Sequence, residues 1–248
     1  MRVHVLGSAG WIPGEDETSC FMVEHEGALL LLDAGTGVSN LARHKDVLER
    51  HERITVLLSH YHLDHVIGLI YLLPFLEGKE LHIYGPGIPC YDRSTRDLLE
   101  QLLQPAFFSR PLERFCERVE CFDYCGKDFS ADGVAVSVVP QRHSAPSFRL
   151  TLDNRLIYAT DTAFAPSEWR GDYHGMTLLH ECWDVTSEGQ GKHTSAKDLL
   201  DGLPAELVRS TYLIHKNPSW TRADLDALER MAQAKGAHVA RDGMVLEV

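Results

Sequence analysis

Apolar residues in this chain come in short blocks separated by polar, glycine-marked breaks, the rhythm of strands and not of long helices. Val3-His4-Val5-Leu6 predicts a first strand, and the Gly7-Ser8-Ala9-Gly10 that ends it either lines a ligand or simply turns the chain. Phe21-Met22-Val23-Glu24 and Ala28-Leu29-Leu30-Leu31-Leu32 flank Gly27 and predict a hairpin. A polar, helix-compatible stretch from Val38 to Arg53 leads into Ile54-Thr55-Val56-Leu57-Leu58, a buried strand, after which residues 66–73 predict a helix. Leu81-His82-Ile83-Tyr84 predicts a strand with His82 on its surface, and Ser94-Thr95-Arg96-Asp97 a capping box. Residues 105–133 read as irregular, their Phe107, Phe108, Phe115, Phe122 and Tyr124 either lining a pocket or packing a long connection. Strands follow at 134–139, 148–151, 156–159, 177–179, 211–214 and 244–246, with a hairpin around Asp153-Asn154. Thr194 or Ser195 caps one late helix and Thr221-Arg222-Ala223-Asp224 another. Strands and helices intermix throughout, which predicts a layered α/β fold.

The length of 248 residues suits one domain spanning 1–248 with a sizeable core, and 44% hydrophobic with 24% charged residues is ordinary for a soluble protein. No run approaches the ~18 apolar residues of a membrane span, and residues 1–7 lack the pattern of a leader, so a cytoplasmic protein without membrane contact is expected. The net charge of −12 disfavours a general nucleic-acid binder, because polyanion affinity rests on Lys and Arg neutralising phosphates. None of the six cysteines forms C-x-x-C, so free thiols without disulfides are expected; Cys116, Cys121 and Cys125 as a small zinc or redox cluster is the alternative.

Chemistry concentrates in Ser59-His60-Tyr61-His62-Leu63-Asp64-His65, directly behind the 54–58 strand. Neutral imidazole and carboxylate are the donors that suit zinc and related divalent ions. His60 and His62, two apart in extended chain, point the same way, whereas Asp64 and His65 aim half a turn further on. One turn thereby offers two donor pairs, suited to two ions about 3.5–4 Å apart. Each ion wants about four ligands, so the rest of the chain must supply the missing donors.

The HYHLDH stretch resembles the signature of metallo-β-lactamase-fold hydrolases, and other motifs of that family follow in order: Asp33 in Leu31-Leu32-Asp33-Ala34-Gly35, His143 in Gln141-Arg142-His143-Ser144, Asp161 in Ala159-Thr160-Asp161-Thr162, and His215 in Leu213-Ile214-His215. The resemblance implies a four-layer αββα sandwich. It implies one ion on His60, His62 and His143, a second on Asp64, His65 and His215, and Asp161 bridging them. Zinc stands first, with manganese or iron also suiting the donors. Asp33 is implied to orient a ligand imidazole, its other reading being an Asx turn. The implied chemistry is hydrolysis by a metal-bridging hydroxide, with Asp64 also able to take a proton.

Leu179-His180-Glu181 followed by His193-Thr194-Ser195 is similar to paired motifs of the ribonuclease Z-like branch, where the Glu orients a His that protonates the leaving oxygen. The bland alternative is a polar loop residue beside a strand-end carboxylate. Only residues 144–160 lie between His143 and Asp161, too few for the tRNA-binding arm of ribonuclease Z itself. That shortness and the closing Asp242-Gly243-Met244 look more like the cyclic-phosphate phosphodiesterase of the branch, although its paired-cysteine zinc site is missing. The expected substrate is a small or cyclic phosphodiester, with a homodimer as the family-level assembly. Rival readings are tRNA 3′ processing, lactone or thioester hydrolysis at the same site, and a non-catalytic scaffold subunit.

Overall fold

The apolar blocks pair into two seven-stranded sheets. The first sheet holds β1 (Arg2–Gly7), β2 (Cys20–His25), β3 (Ala28–Leu32), β4 (Arg53–Leu57), β5 (Glu80–Gly85) and β6 (Arg118–Asp123). The second holds β7 (Phe129–Ala131), β8 (Val134–Gln141), β9 (Ser147–Leu152), β10 (Leu156–Ala159), β11 (Thr177–Glu181), β12 (Ser210–Ile214) and β13 (His238–Val239). The chain then returns with β14 (Val245–Glu247) to pair on β1, giving the orders β14-β1-β2-β3-β4-β5-β6 and β13-β12-β11-β10-β9-β8-β7. This computed structural model describes the whole chain except residues 106, 108–111, 115, 170, 172, 187–190 and 205.

Three cores stack in series. Between the sheets, Val3, Val5, Phe21, Leu30, Leu32 and Leu57 meet Val136, Leu150, Leu152, Tyr158, Leu179 and Ile214. Alternate residues of the first sheet, Leu29, Leu31, Ile54 and Val56, pack outward on Val38, Leu41, Leu69 and Leu72. Ile157, Leu178 and Leu213 of the second sheet do the same against Leu199, Leu200, Leu228 and Ala232. Strand side chains alternate between faces, so a strand apolar at every position must be covered on both. β3, buried at all five positions, is such a strand, and the result is the expected αββα layering. Both foreseen hairpins form, each turning through left-handed backbone: Glu26 (φ 48°) with Gly27 (φ 86°), and Asp153 (φ 45°) with Asn154 (φ 52°). The late caps also form: Ser195 Oγ accepts from Asp198 N at 3.0 Å, and Thr221 and Asp224 make a reciprocal capping box.

Elsewhere tertiary contact overrides the local pattern. The helix expected over 66–73 is two short ones, Leu63–Val66 and Leu69–Leu72, interrupted where the chain touches the turn after β3. There Gly68 N donates to Ala34 O at 2.8 Å, and a Cβ on Gly68 would lie 1.8 Å from Gly35 O. The 38–53 stretch is a 3-10 segment, Thr36–Arg43, and one short helix, Lys45–Glu49, before β4 begins. Residues 105–133 are not simply irregular, since β6 and β7 lie within them. His82 is buried and not on the surface, its ring nitrogens 3.4 Å from Glu120 Oε2 and 3.6 Å from Asp132 Oδ1. Of the aromatics in that stretch, Phe122 and Tyr124 pack: Tyr84 stacks on Phe122 at 4.5 Å and on Phe129 at 4.9 Å, and Tyr124 lies edge-on to Phe148 at 5.6 Å. Phe107 is exposed, while Phe108 and Phe115 lie outside the described residues. Among the described residues no helix is long and apolar enough to cross a membrane.

Gly68 gives the fold its first test. Gly68→Ala must push two backbone segments apart, so it should cost about 2 kcal/mol or more and lower Tm by about 4–8 °C in a thermal melt. An unchanged Tm would show that the 66–69 break yields without cost.

Candidate metal centre

The site lies along one rim of both sheets, where the C-terminal ends of β3, β4, β10, β11 and β12 point the same way. β3 ends in Asp33, β4 in the 59–65 turn, β10 in Asp161, β11 in Glu181 and β12 in His215, while the β8–β9 connection carries His143. Asp33 (φ 55°), Asp161 (φ 49°) and His215 (φ 51°) all adopt left-handed backbone. That conformation is uncommon for residues with a side chain and clusters at functional sites, here bending each strand end so that its side chain faces the rim.

The seven donors singled out in the sequence do converge. His60, His62, His143 and Asp161 each present a ligand atom within 4.8 Å of the others, and so do Asp64, His65 and His215. Asp161 faces both groups with different oxygens. Its Oδ1 lies 3.4 Å from His143 Nε2 and 4.0 Å from His60 Nε2, and its Oδ2 lies 2.9 Å from His65 Nε2 and 3.1 Å from His215 Nε2. Asp64 Oδ2 closes the second group at 3.3 Å from both His65 Nε2 and His215 Nε2.

The tautomers follow from the partners behind the rings. Asp33, fully buried, accepts from Ser59 N, Ser59 Oγ, His65 Nδ1 and Tyr158 Oη, each at 2.7 Å. Because Ser59 Oγ gives its proton to Asp33, it accepts from His60 Nδ1 at 3.0 Å. Both His60 and His65 therefore carry a proton on Nδ1 and turn Nε2 inward, and the carboxylates of Asp64, Asp161 and Asp33 hold His65 well above the ordinary imidazole range in spite of its burial. These two Nε2 atoms are buried and make no hydrogen bond of acceptable geometry. Burial, then the neighbouring His65, pushes His60 well below the ordinary imidazole range, which keeps it a neutral donor. Burial would raise Asp161, but His215, His65 and His60 hold it well below the usual carboxylate range, so it stays ionised. Asp64 is lowered against its burial by His65 and His215. Buried, unpartnered Nε2 atoms facing ionised carboxylates, with Nδ1 fixed from behind, fit the divalent ions that the fold implies.

Glu181 and His193 also meet. Glu181, fully buried, accepts from His193 Nδ1 at 3.0 Å with Oε2 and from Thr162 N with Oε1. Burial raises the Glu181 carboxyl, and the bond and charge of Glu181 raise His193 in spite of its own burial. His193 stands beside the donors, its ring centroid 5.0 Å from that of His143. His180 of the same motif faces the other way, packed on Phe164 and Trp169, where burial lowers it to about 4. Among the described residues no candidate metal group includes a cysteine.

Several contributors were not foreseen. The loop after β1 does line the site: a Cβ on Gly10 would fall 2.4 Å from His215 Cε1, and Trp11 N, left-handed at φ 61°, donates to Asp64 Oδ2 at 2.7 Å. Asp242 secures that loop by accepting from Ser8 N at 3.0 Å and Glu17 N at 2.8 Å, and burial raises its carboxyl to about 6. Tyr124 Oη braces the metal turn through Leu58 O at 2.8 Å, and Trp183 stacks on His193 at 4.9 Å. Ser59 sits inside the histidine-rich stretch and could have been suspected; Tyr158, Tyr124 and Trp183 carry no local signal.

Two stacked sheets between helices, with this donor set on one rim, define a metallo-β-lactamase-fold hydrolase. Residues 1–238 match the family described as Anti-Pycsar protein Apyc1, and the chain belongs to that family. The chain is similar to the Anti-Pycsar protein Apyc1 of Paenibacillus harenae, 26% identical over 229 residues, 87% of this chain and 89% of that one. It resembles the Ribonuclease Z of Methanopyrus kandleri, 39% identical over 85 residues, 33% of this chain and 30% of that one. With the Ribonuclease Z of Metallosphaera sedula it shares 28% identity over 191 residues, 75% of this chain and 60% of that one. The chain thus spans less than two thirds of the length of either ribonuclease. Among solved structures, the metallo-β-lactamase fold protein YhfI of Bacillus subtilis superposes with a TM-score of 0.77 at 19% identity, covering 100% of this chain and 98% of that one. A diphosphatase of the PhnP family gives 0.73 at 17%, covering 100% and 97%.

Asp33 offers the sharpest test of the centre. Asp33→Asn keeps the shape but replaces one accepting oxygen by a donor, so His65 Nδ1 or Ser59 loses its acceptor. Metal affinity, measured by competition with a chelator, should fall about 10–100-fold. An affinity equal to that of the parent would mean that Asp33 supports the fold alone.

Proposed function

We propose that the chain is a binuclear metal-dependent phosphodiesterase acting on a small or cyclic phosphodiester, with 1–248 as its catalytic domain. His60, His62 and His143 would hold one ion and Asp64, His65 and His215 the other, with Asp161 facing both donor groups. The observation that carries this reading is the division of Asp161, one oxygen toward each donor group. When bound, divalent ions there would supply an acidified water and positive charge for phosphate oxygens. The donors admit zinc first, with manganese or iron as alternatives.

The protein's own part is placement and proton handling. Asp33 and Ser59 fix the imidazoles, and Trp11 N–H occupies one lone pair of Asp64 Oδ2, which steadies that carboxylate while leaving Oδ1 to accept a proton from the nucleophile. His193, tied through Nδ1 to Glu181, directs Nε2 toward the cleft as the general acid for the leaving oxygen. A lone oxyanion leaving from phosphorus needs that proton most when its conjugate acid is weak. The ester leaving group of a lactone or thioester places different demands on the site, so the Glu181–His193 pair favours phosphodiesters. Relatives named for ribonuclease and diphosphatase chemistry support the same choice. The net charge of −12 and the short 144–160 connection disfavour tRNA as the substrate.

Profiling the metal-loaded protein on bis-p-nitrophenyl phosphate and cyclic phosphodiesters against a thioester and a lactone tests the class. Turnover confined to phosphodiesters is expected, and turnover of lactones or thioesters alone overturns it. Asp161→Asn should lose bound metal and lower kcat by about a hundredfold or more. A metal-free yet fully active variant would remove the binuclear reading. His193→Ala should retain metal while turning over esters of poor leaving groups about 10²–10⁴-fold more slowly, and an unchanged rate excludes His193 as the acid.

A further inference from the structure

Trp183 lies two residues beyond Glu181, where β11 has ended and the chain runs alongside the segment carrying His193. Its backbone N–H donates to Thr194 O at 2.8 Å, and Ala196 N returns a bond to Asp184 O at 2.7 Å, so the two segments are stitched together around the pair. The indole covers the His193 imidazole, with ring centroids 4.9 Å apart and planes at 25°. It also reaches His215, 5.6 Å away at 35°. Thr194 Oγ1 donates to Thr162 O at 2.6 Å, and Thr162 N bonds Glu181, which closes the frame.

A single hydrogen bond to Glu181 fixes one atom of His193 but leaves the ring free to swing about the Nδ1–Oε2 line. Moving Nε2 off target by about 1 Å is enough to lower turnover markedly. A flat surface against the ring removes that freedom, and an indole face also attracts the imidazolium that a proton donor must be before it acts. The stack therefore does what the Glu181 bond cannot. We propose that Trp183 is a positioning residue that sets the plane of His193, so that the imidazole presents Nε2 to the leaving oxygen. This inference rests on the reading of His193 as the general acid.

The test compares the metal-loaded full chain with Trp183→Leu, which keeps apolar bulk but has no π face, Trp183→Phe, which keeps a face, and His193→Ala. Methyl aryl phosphates with a 4-nitrophenol or an unsubstituted phenol leaving group give the ratio of poor-ester to good-ester kcat. Trp183→Leu should lower that ratio about five- to tenfold, Trp183→Phe should restore most of it, and metal content should stay at the parental level. A second readout needs no turnover. The ring protons of His193, assigned by their loss in His193→Ala, should show an upfield ring-current shift in the parent that disappears in Trp183→Leu. If His193→Ala lowers the ratio and Trp183→Leu does not, the role of Trp183 is overturned while the acid stands. If neither lowers it, the acid reading itself fails and takes the positioning role with it. A ratio lowered equally by the Leu and Phe variants, or lowered together with metal loss, marks Trp183 as packing only.

Discussion

Four hydrogen bonds converge on the carboxylate of Asp33, and the rest of the centre is aimed from there. A carboxylate with no exposure is expensive to bury unless its lone pairs are satisfied. Here the donors that satisfy it are also the parts that must be held still: the backbone and hydroxyl of Ser59, the imidazole of His65 and, across the interface between the sheets, the phenol of Tyr158 on β10. Leaving this charge buried and paired thus fixes one metal-site turn on the first sheet and its distance from the second. The proton on His65 Nδ1 and the relay through Ser59 to His60 follow from the same anion, since a carboxylate can only accept.

How the sequence shows this, and how it hides it, depends on the range of the forces. The 59–65 stretch is legible because donors crowd within a few residues and follow an apolar block, and no packing argument requires such a run. Blocks such as 28–32 and 54–58 are legible because burial on both faces demands uniform apolarity. β6 escapes the local pattern because it is a partly exposed edge strand: Glu120 and Asp123 interrupt its apolar run, and distant partners hold it, β5 on one side and Thr95 and Arg96 through Asp123 and Val119. The helix over 66–73 was overestimated because its interruption is caused by a distant backbone at residues 34–35, which local propensity cannot register. His82 looked like a surface residue for the same reason. What hides it is the turn carrying Asp132, fifty residues away in sequence by the order of 10² Å of extended chain.

Electrostatics separate the protein as a whole from its site. The chain carries a net charge of −12, yet the rim gathers six imidazoles around Asp64 and Asp161, and those imidazoles hold both carboxylates ionised. Burial and the neighbouring His65 keep His60 neutral, the form in which an imidazole binds a divalent ion. The carboxylates around His65 and His215, by contrast, raise both against their burial, so ion binding at that pair would release protons. An acidic balance disfavours long polyanions, whose binding needs many cationic contacts.

Geometry of this kind has a cost in stability. Asp33, Asp161 and His215 each sit in left-handed backbone, for which a residue with a side chain pays on the order of 1–3 kcal/mol. The same backbone occurs in plain turns such as Glu26 and Asp153, but at Asp33, Asp161 and His215 it falls just past the end of a strand and turns a donor toward the rim. They persist because the strands behind them are paired on both sides: β3 and β10 are buried at every position, and β12, between β11 and the short β13, at three of its five. The layered fold therefore serves the rim by over-determining its strand ends, so that a strained turn cannot relax without breaking a ladder. On this argument the division of labour in the chain is clear. The blocks of Leu, Val and Ile specify where the strands lie, and the residue following each one is released from packing to face a neighbour on the other sheet.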